Sequence, residues 1–117
     1  MHEGNFTGQI VQAIMFELKK YPDHKPKRIK VKVGEMLHLD RESIKMHYLV
    51  LTKGTALEGA EIDLEEIPVN VYCWQCNRMG CVKDHHMPIC SNCSSTDVEV
   101  MSGNEILVDS IDLETGA

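Results

Sequence analysis

Two cysteine pairs, Cys73-Trp74-Gln75-Cys76 and Cys90-Ser91-Asn92-Cys93, lie thirteen residues apart in the second half of the chain. A C-x-x-C segment folds as a tight knuckle that aims two sulfurs at one point. Two knuckles brought together give four sulfurs in a tetrahedron, which a d¹⁰ zinc ion accepts without electronic preference. The spacing predicts a four-cysteine metal site made of Cys73, Cys76, Cys90 and Cys93. A module of about 35 residues is too small to hold itself together by apolar burial, so the metal must act as its core. Cys81 is a fifth thiol outside the pairs; the tetrahedron is full without it, and it is expected to be free.

The 117 residues leave room for one small domain beside such a module. A net charge of -6 argues against a nucleic-acid or anionic-membrane partner, since both demand clustered cations. One Trp, two Phe and three Tyr also give poor material for base stacking. Met1 to Asn5 has no basic region followed by an apolar run, and apolar stretches such as Tyr48-Leu49-Val50-Leu51 are far too short to span a bilayer. The expectation is a cytoplasmic protein with reduced cysteines.

Hydropathy patterning fills in the fold. From Thr7 to Tyr21, Ile10, Val11, Ile14, Met15, Leu18 and Tyr21 recur at spacings of mainly three and four, predicting a helix with one buried stripe. Pro22-Asp23 ends it. Arg28 to Val33 alternates cations with Ile29, Val31 and Val33, a half-buried strand. Asp40 is a natural N-cap for a second helix carrying Ile44, Tyr48 and Leu51 and closing at Lys53-Gly54. Ala60 to Leu64 alternates again with an acidic polar face, so pairing should bring Lys30 and Lys32 near Glu61 or Asp63. After Pro68 the chain turns polar and cysteine-bearing to about Asp97. Val98-Glu99-Val100 reads as a ribbon strand, and Ile106 to Leu113 as a strand that returns to the first sheet. The expected class is α+β: a small sheet of about three strands with two helices, plus a zinc-ribbon-like four-cysteine module. Residues 1–68, completed by the strand at about 105–117, form the first domain, and residues 69–104 form the zinc-binding one.

Met1-His2-Glu3 offers different chemistry. Methionine aminopeptidases need a small second residue, so His2 preserves Met1. A histidine at position two presents its ring nitrogen beside its own backbone nitrogen, the neighbouring amide and the nearby amine. Such planar nitrogen fields suit Ni(II) or Cu(II) better than zinc. Read alone, a histidine near a chain end is more often incidental.

Taken in combination, the motifs resemble a known family. Met1-His2-Glu3 before an amphipathic helix, then Val33-Gly34-Glu35-Met36-Leu37, then Thr52 to Glu61 (TKGTALEGAE), then the paired C-x-x-C, are similar to the HypA nickel metallochaperones. The resemblance covers nearly the whole chain. It implies two domains, with nickel bound by His2 together with the backbone nitrogens of His2 and Glu3 beside Met1. It implies structural zinc on the four paired cysteines, with nickel as transferred cargo. The implied partners are a HypB-type GTPase and the large subunit of a nickel-iron hydrogenase, with urease as the alternative client. Gly4, Asn5, Thr7 and Gly8 stand where the family more often has a helix start rich in alanine and leucine. Glycine costs about 1 kcal/mol of helix propensity per site, which predicts a weak first turn.

Further nitrogen ligands come from few places. His85-His86 lies between the cysteine pairs; in some archaeal members a histidine of this loop completes the nickel site, although a solvated loop explains the pair as well. His38, near Glu35, is either a nickel or partner contact or a plain loop histidine. His47 falls mid-helix as a surface or boundary residue, and His24 sits in a Pro-rich turn. Three rival readings use the same cysteines: a zinc-ribbon nucleic-acid module, a rubredoxin-like iron carrier, and a zinc-only interaction module. No Gly-rich phosphate loop or nucleophile-base constellation supports an enzyme.

Overall fold

A computed structural model describes residues 3–82 and 87–115. The class is α+β, in the order α1 (Glu3–Leu18), β1 (His24–Gly34), a 3-10 turn (Glu35–Leu37), α2 (Arg41–Thr52), β2 (Glu61–Ile67), β3 (Asn70–Cys73), β4 (Arg78–Cys81), β5 (Val98–Ser102) and β6 (Ile106–Thr115). The strands form two three-stranded sheets, ordered β2-β1-β6 and β4-β3-β5. Among the described residues no helix is long and apolar enough to cross a membrane. Two compact units result. One comprises Met1–Lys32, Leu39–Glu65 and Ile106–Ala117; the other comprises Val33–His38 and Glu66–Glu105.

In the first unit, α1 starts four residues earlier than the apolar stripe alone predicts and runs through both Gly4 and Gly8. Thr7, Ile10, Ile14 and Leu18 are its buried row. Tyr21, expected on that row, is exposed instead. The helix ends at Leu18 in successive i to i−3 bonds (Lys19 N to Phe16 O, Lys20 N to Glu17 O, Tyr21 N to Leu18 O), and this tighter winding carries Tyr21 off the stripe. Asp40 caps α2 by accepting the Glu42 amide at 3.0 Å. The inward row of α2 is Ile44, Tyr48 and Thr52, spaced by four. Leu51, expected inward, is 43% exposed, because Thr52 takes the last buried place and satisfies its hydroxyl on Tyr48 O at 2.7 Å.

The Thr52 to Glu61 motif makes physical sense as a loop that plugs the core. Thr55 Oγ1 donates to Thr52 O and accepts the Leu57 amide, while Gly54 and Gly59 adopt left-handed φ angles of 80° and 86°. This drives Leu57 into full burial and brings Ala60 O to the Tyr48 hydroxyl, 3.0 Å away. Burial pushes the Tyr48 pKa up to about 12, so the phenol stays a donor. Ile29 and Val31 of β1 complete this core.

The outward cations of β1 find acidic partners with a different allotment from the expected one. Arg28 pairs with Glu61 at 3.1 Å, Lys30 with Glu65 at 3.6 Å, and Lys32 with Asp109 at 3.8 Å. Lys30 and Lys32 therefore miss Glu61 and Asp63. The reason is that β1 is central, so its cations divide between β2 on one side and β6 on the other. Each exposed pair contributes little, but together they favour this strand order.

Candidate metal centre

The second unit is built on close backbone approach and four sulfurs. Val69, Val71 and Val82 form its small buried apolar cluster, with Met36, Val98 and Val100 packed against it. Gly34 donates its amide to Glu105 O, and Met36 donates to Gly103 O. A Cβ on Gly34 would fall on the Gly103 carbonyl group, and one on Gly103, whose φ is 91°, would meet the backbone of Val69. Both positions are therefore restricted to glycine, which accounts physically for the glycine of the Val33-Gly34-Glu35 motif.

β3 is the central strand of this unit's sheet. Cys73, at its end, faces Arg78 of β4 and Val98 of β5 across antiparallel registers. The polar stretch after Cys76 hid β4: Arg78-Met79-Gly80-Cys81 has no inward apolar alternation, and pairing with β3 makes it a strand. The first knuckle is the turn joining β3 to β4.

The two knuckles repeat one design. In the first, the Asn77 amide donates to Cys73 O at 2.9 Å and the Cys76 amide donates to Cys73 Sγ at 3.4 Å. In the second, the Ser94 amide donates to Cys90 O at 2.9 Å and the Cys93 amide donates to Cys90 Sγ at 3.4 Å. Asn77 and Ser94, each directly after the second cysteine of its pair, both have left-handed φ (57° and 62°). That reversal closes each knuckle; asparagine tolerates it through its short polar side chain. Tyr72 Oη and Asn77 Oδ1 lie 3.1 Å apart and brace the first turn, and Asn92 Nδ2 reaches Cys76 Sγ at 3.8 Å across the site. None of these supports is legible in the C-x-x-C spacing, although an Asn or Ser after each pair is the available signal.

The sulfurs of Cys73, Cys76, Cys90 and Cys93 all lie within 4.8 Å of one another, with Cys73 to Cys93 at 3.5 Å and Cys76 to Cys90 at 3.6 Å. Metal–sulfur bonds of about 2.3 Å require tetrahedron edges of about 3.8 Å, so the donor set fits zinc. The electrostatics ask for a cation. Amide donation from Cys93 and Asn92 holds the Cys90 thiol down at about 6. The Cys76 amide likewise lowers Cys73. Cys93 accepts the Ser95 amide, which favours its thiolate, yet lost hydration and the neighbouring sulfurs outweigh this and push it up to about 12. Four thiolates this close ionise together only around a positive ion.

Cys81 lies outside this group, exposed on β4 opposite Asn70. The remaining sequence candidates are not gathered there. Met1 and His2 lie outside the described residues, as do His85 and His86, and Glu3 is the first residue of α1. His38 follows the 3-10 turn with φ 50° and closes it by donating its amide to Glu35 O. Among the described residues it belongs to no group of three or more metal-ligating side chains.

The family model described as "Hydrogenase/urease nickel incorporation, metallochaperone, hypA" matches residues 1–113. The hydrogenase maturation factor HypA of Methanothermobacter thermautotrophicus is 32% identical over 120 residues, covering 97% of this chain and 98% of its own. That of Desulfatibacillum aliphaticivorans is 30% identical over 114 residues, covering 97% and 87%. The fold is similar to the solution structure of the Ni metallochaperone HypA from Helicobacter pylori, with a TM-score of 0.71 at 21% identity over 97% of each chain.

Proposed function

Because the chain belongs to the HypA family of nickel-incorporation metallochaperones, we propose that it carries Ni(II) at Met1-His2-Glu3 and hands it on for maturation of a nickel-iron hydrogenase, while Cys73, Cys76, Cys90 and Cys93 hold structural zinc. The observation that carries this reading is the closure of the sulfur site. Four soft donors sit within 4.8 Å and are held in place by backbone amides, an arrangement that locks an ion rather than releasing it. A carrier needs a second site with positions open to exchange, and imidazole with amide nitrogen suits nickel.

In this reading His2 supplies its ring and backbone nitrogens, Glu3 its amide, and Met1 the flanking end. The metal passes between proteins with no bond of the client broken, so the role is transfer rather than catalysis. The chemistry calls for a HypB-type GTPase and the hydrogenase large subunit as partners, with urease the alternative client. Imidazole and amides must shed protons to bind, so nickel affinity should rise with pH. Equilibrium dialysis of protein beginning at Met1, at several pH values, measures this. Affinity independent of pH would eliminate the amide-nitrogen site.

A further inference from the structure

The helix α2 carries an apolar stripe that its own unit leaves uncovered. Its inward row is Ile44, Tyr48 and Thr52. At about 3.6 residues per turn, Met46, Leu49 and Val50 fall on the side turned away from that row. They are 69%, 68% and 74% exposed. A helix lying on a core ordinarily gives that side to polar and charged residues. Here charge is confined to the margins of the stripe. Glu42 stands in the first turn and Lys53 at the C-cap, while Lys45 flanks the stripe with its ammonium 4.0 Å from Glu42 Oε1. Lys53 has no ion-pair partner among the described residues. Along the chain, Glu42, Met46, Leu49 and Lys53 are separated by four, three and four positions, the a/d rhythm of a seam between two helices.

From this pattern we infer that the exposed face of α2 is a contact between two copies of this chain, paired antiparallel about a two-fold axis. The stripe complements itself only in that sense. Reversing one copy sets Glu42 against Lys53 at both ends and Met46 against Leu49 twice in the middle, while the aliphatic stem of Lys45 covers Val50. A parallel pair would instead set Glu42 against Glu42 and Lys53 against Lys53. A two-fold contact uses the same patch on both copies, so one helix supplies the whole interface. Each chain carries a net charge of -6, and two copies repel at long range. The opposite charges at the ends of the seam offset this where the helices meet. Area sets the strength. Three aliphatic side chains and their rim cover on the order of a few hundred Å² per copy, short of the roughly 800 Å² per partner of a standard stable interface. The pair is therefore weak, dissociating at about 10–100 µM.

Sedimentation equilibrium of the full chain, from about 5 to about 500 µM, brackets that range. The average mass should climb from 13.2 kDa toward twice that value. Leu49→Lys should hold it at the monomer throughout. Glu42→Lys and Lys53→Glu should each weaken pairing about tenfold, because like charges then meet at both ends of the seam. The double variant Glu42→Lys/Lys53→Glu restores opposite charges and should regain the wild-type mass profile. All three positions are exposed, and circular dichroism confirms that each variant keeps its helices. A wild type that stays monomeric at the highest concentration overturns the inference. So does a dimer that survives Leu49→Lys, which would place the contact elsewhere, as in the cleft between α1 and β6. Single charge reversals that pair as well as the wild type, or a double variant that fails to recover, would refute the antiparallel register.

Discussion

Replacing Cys73 by Ala should unfold the sulfur-bearing unit and leave the other intact. The magnitude follows from how little else holds that unit. Its buried apolar cluster is Val69, Val71 and Val82, three side chains worth roughly 5–9 kcal/mol of gross burial before chain ordering is subtracted. Structural zinc contributes about 10–16 kcal/mol in small four-ligand modules, more than that whole cluster. Cys73 is fully buried, sits at the end of the central strand, and accepts the Cys76 amide, so its loss removes a ligand and a knuckle anchor together. Trp74, the single tryptophan, lies in that knuckle with its ring edge-on to Tyr72 at 4.7 Å, and its fluorescence reports the change. Zinc analysis should give less than one ion per chain, and amide exchange should become fast across β3 to β5 while α1 and β1 stay protected. Cys81→Ser is the matched control and should keep full zinc. A Cys73→Ala protein that retained zinc and protected amides in β3 would refute the claim that the metal is this unit's core.

Other tests probe the supports. Gly103→Ala should destabilise the same unit by about 2–4 kcal/mol, since the added methyl meets Val69 backbone at a positive φ; denaturant unfolding followed at Trp74 measures it, and a change below about 0.5 kcal/mol would show that the glycine pair is not needed. Acidification should release zinc. Cys90 and Cys73 titrate below the ordinary thiol value of 9 when folded, while Cys93, pushed up to about 12, is protonated in both states below pH 9, so between about pH 6 and pH 9 the folded unit binds fewer protons than the unfolded chain. That stabilisation is complete above about pH 9 and is lost as pH falls toward 6. A zinc-release titration showing more zinc bound at pH 5 than at pH 8 would contradict the sign.

The elements that could be read from sequence were those in which local pattern and tertiary demand agree. The alternation of Arg28 to Val33, the Asp40 cap and the returning strand at Ile106 each satisfy one periodicity with one face, and they appear in the structure. The C-x-x-C pairs were legible because metal geometry leaves little choice about where four sulfurs go. Tyr21 and Leu51 were misplaced because helix ends are settled by capping bonds and by the neighbour's shape, which a periodic stripe does not encode. β4 was invisible because its order comes from pairing with β3, a non-local bond pattern with no hydrophobic signature of its own. The allotment of Arg28, Lys30 and Lys32 likewise depends on β1 lying between β2 and β6.

The division of labour between the two metals is tested most directly by counting both ions in three proteins. These are the chain beginning at Met1, its His2→Ala variant, and a variant carrying extra residues before Met1, each loaded with zinc and nickel, desalted and analysed for metal content. One zinc per chain in all three, with nickel retained only in the first, is the predicted result. Nickel retained undiminished in His2→Ala or in the extended protein would contradict the account, leaving a zinc-pinned protein whose nickel lies elsewhere.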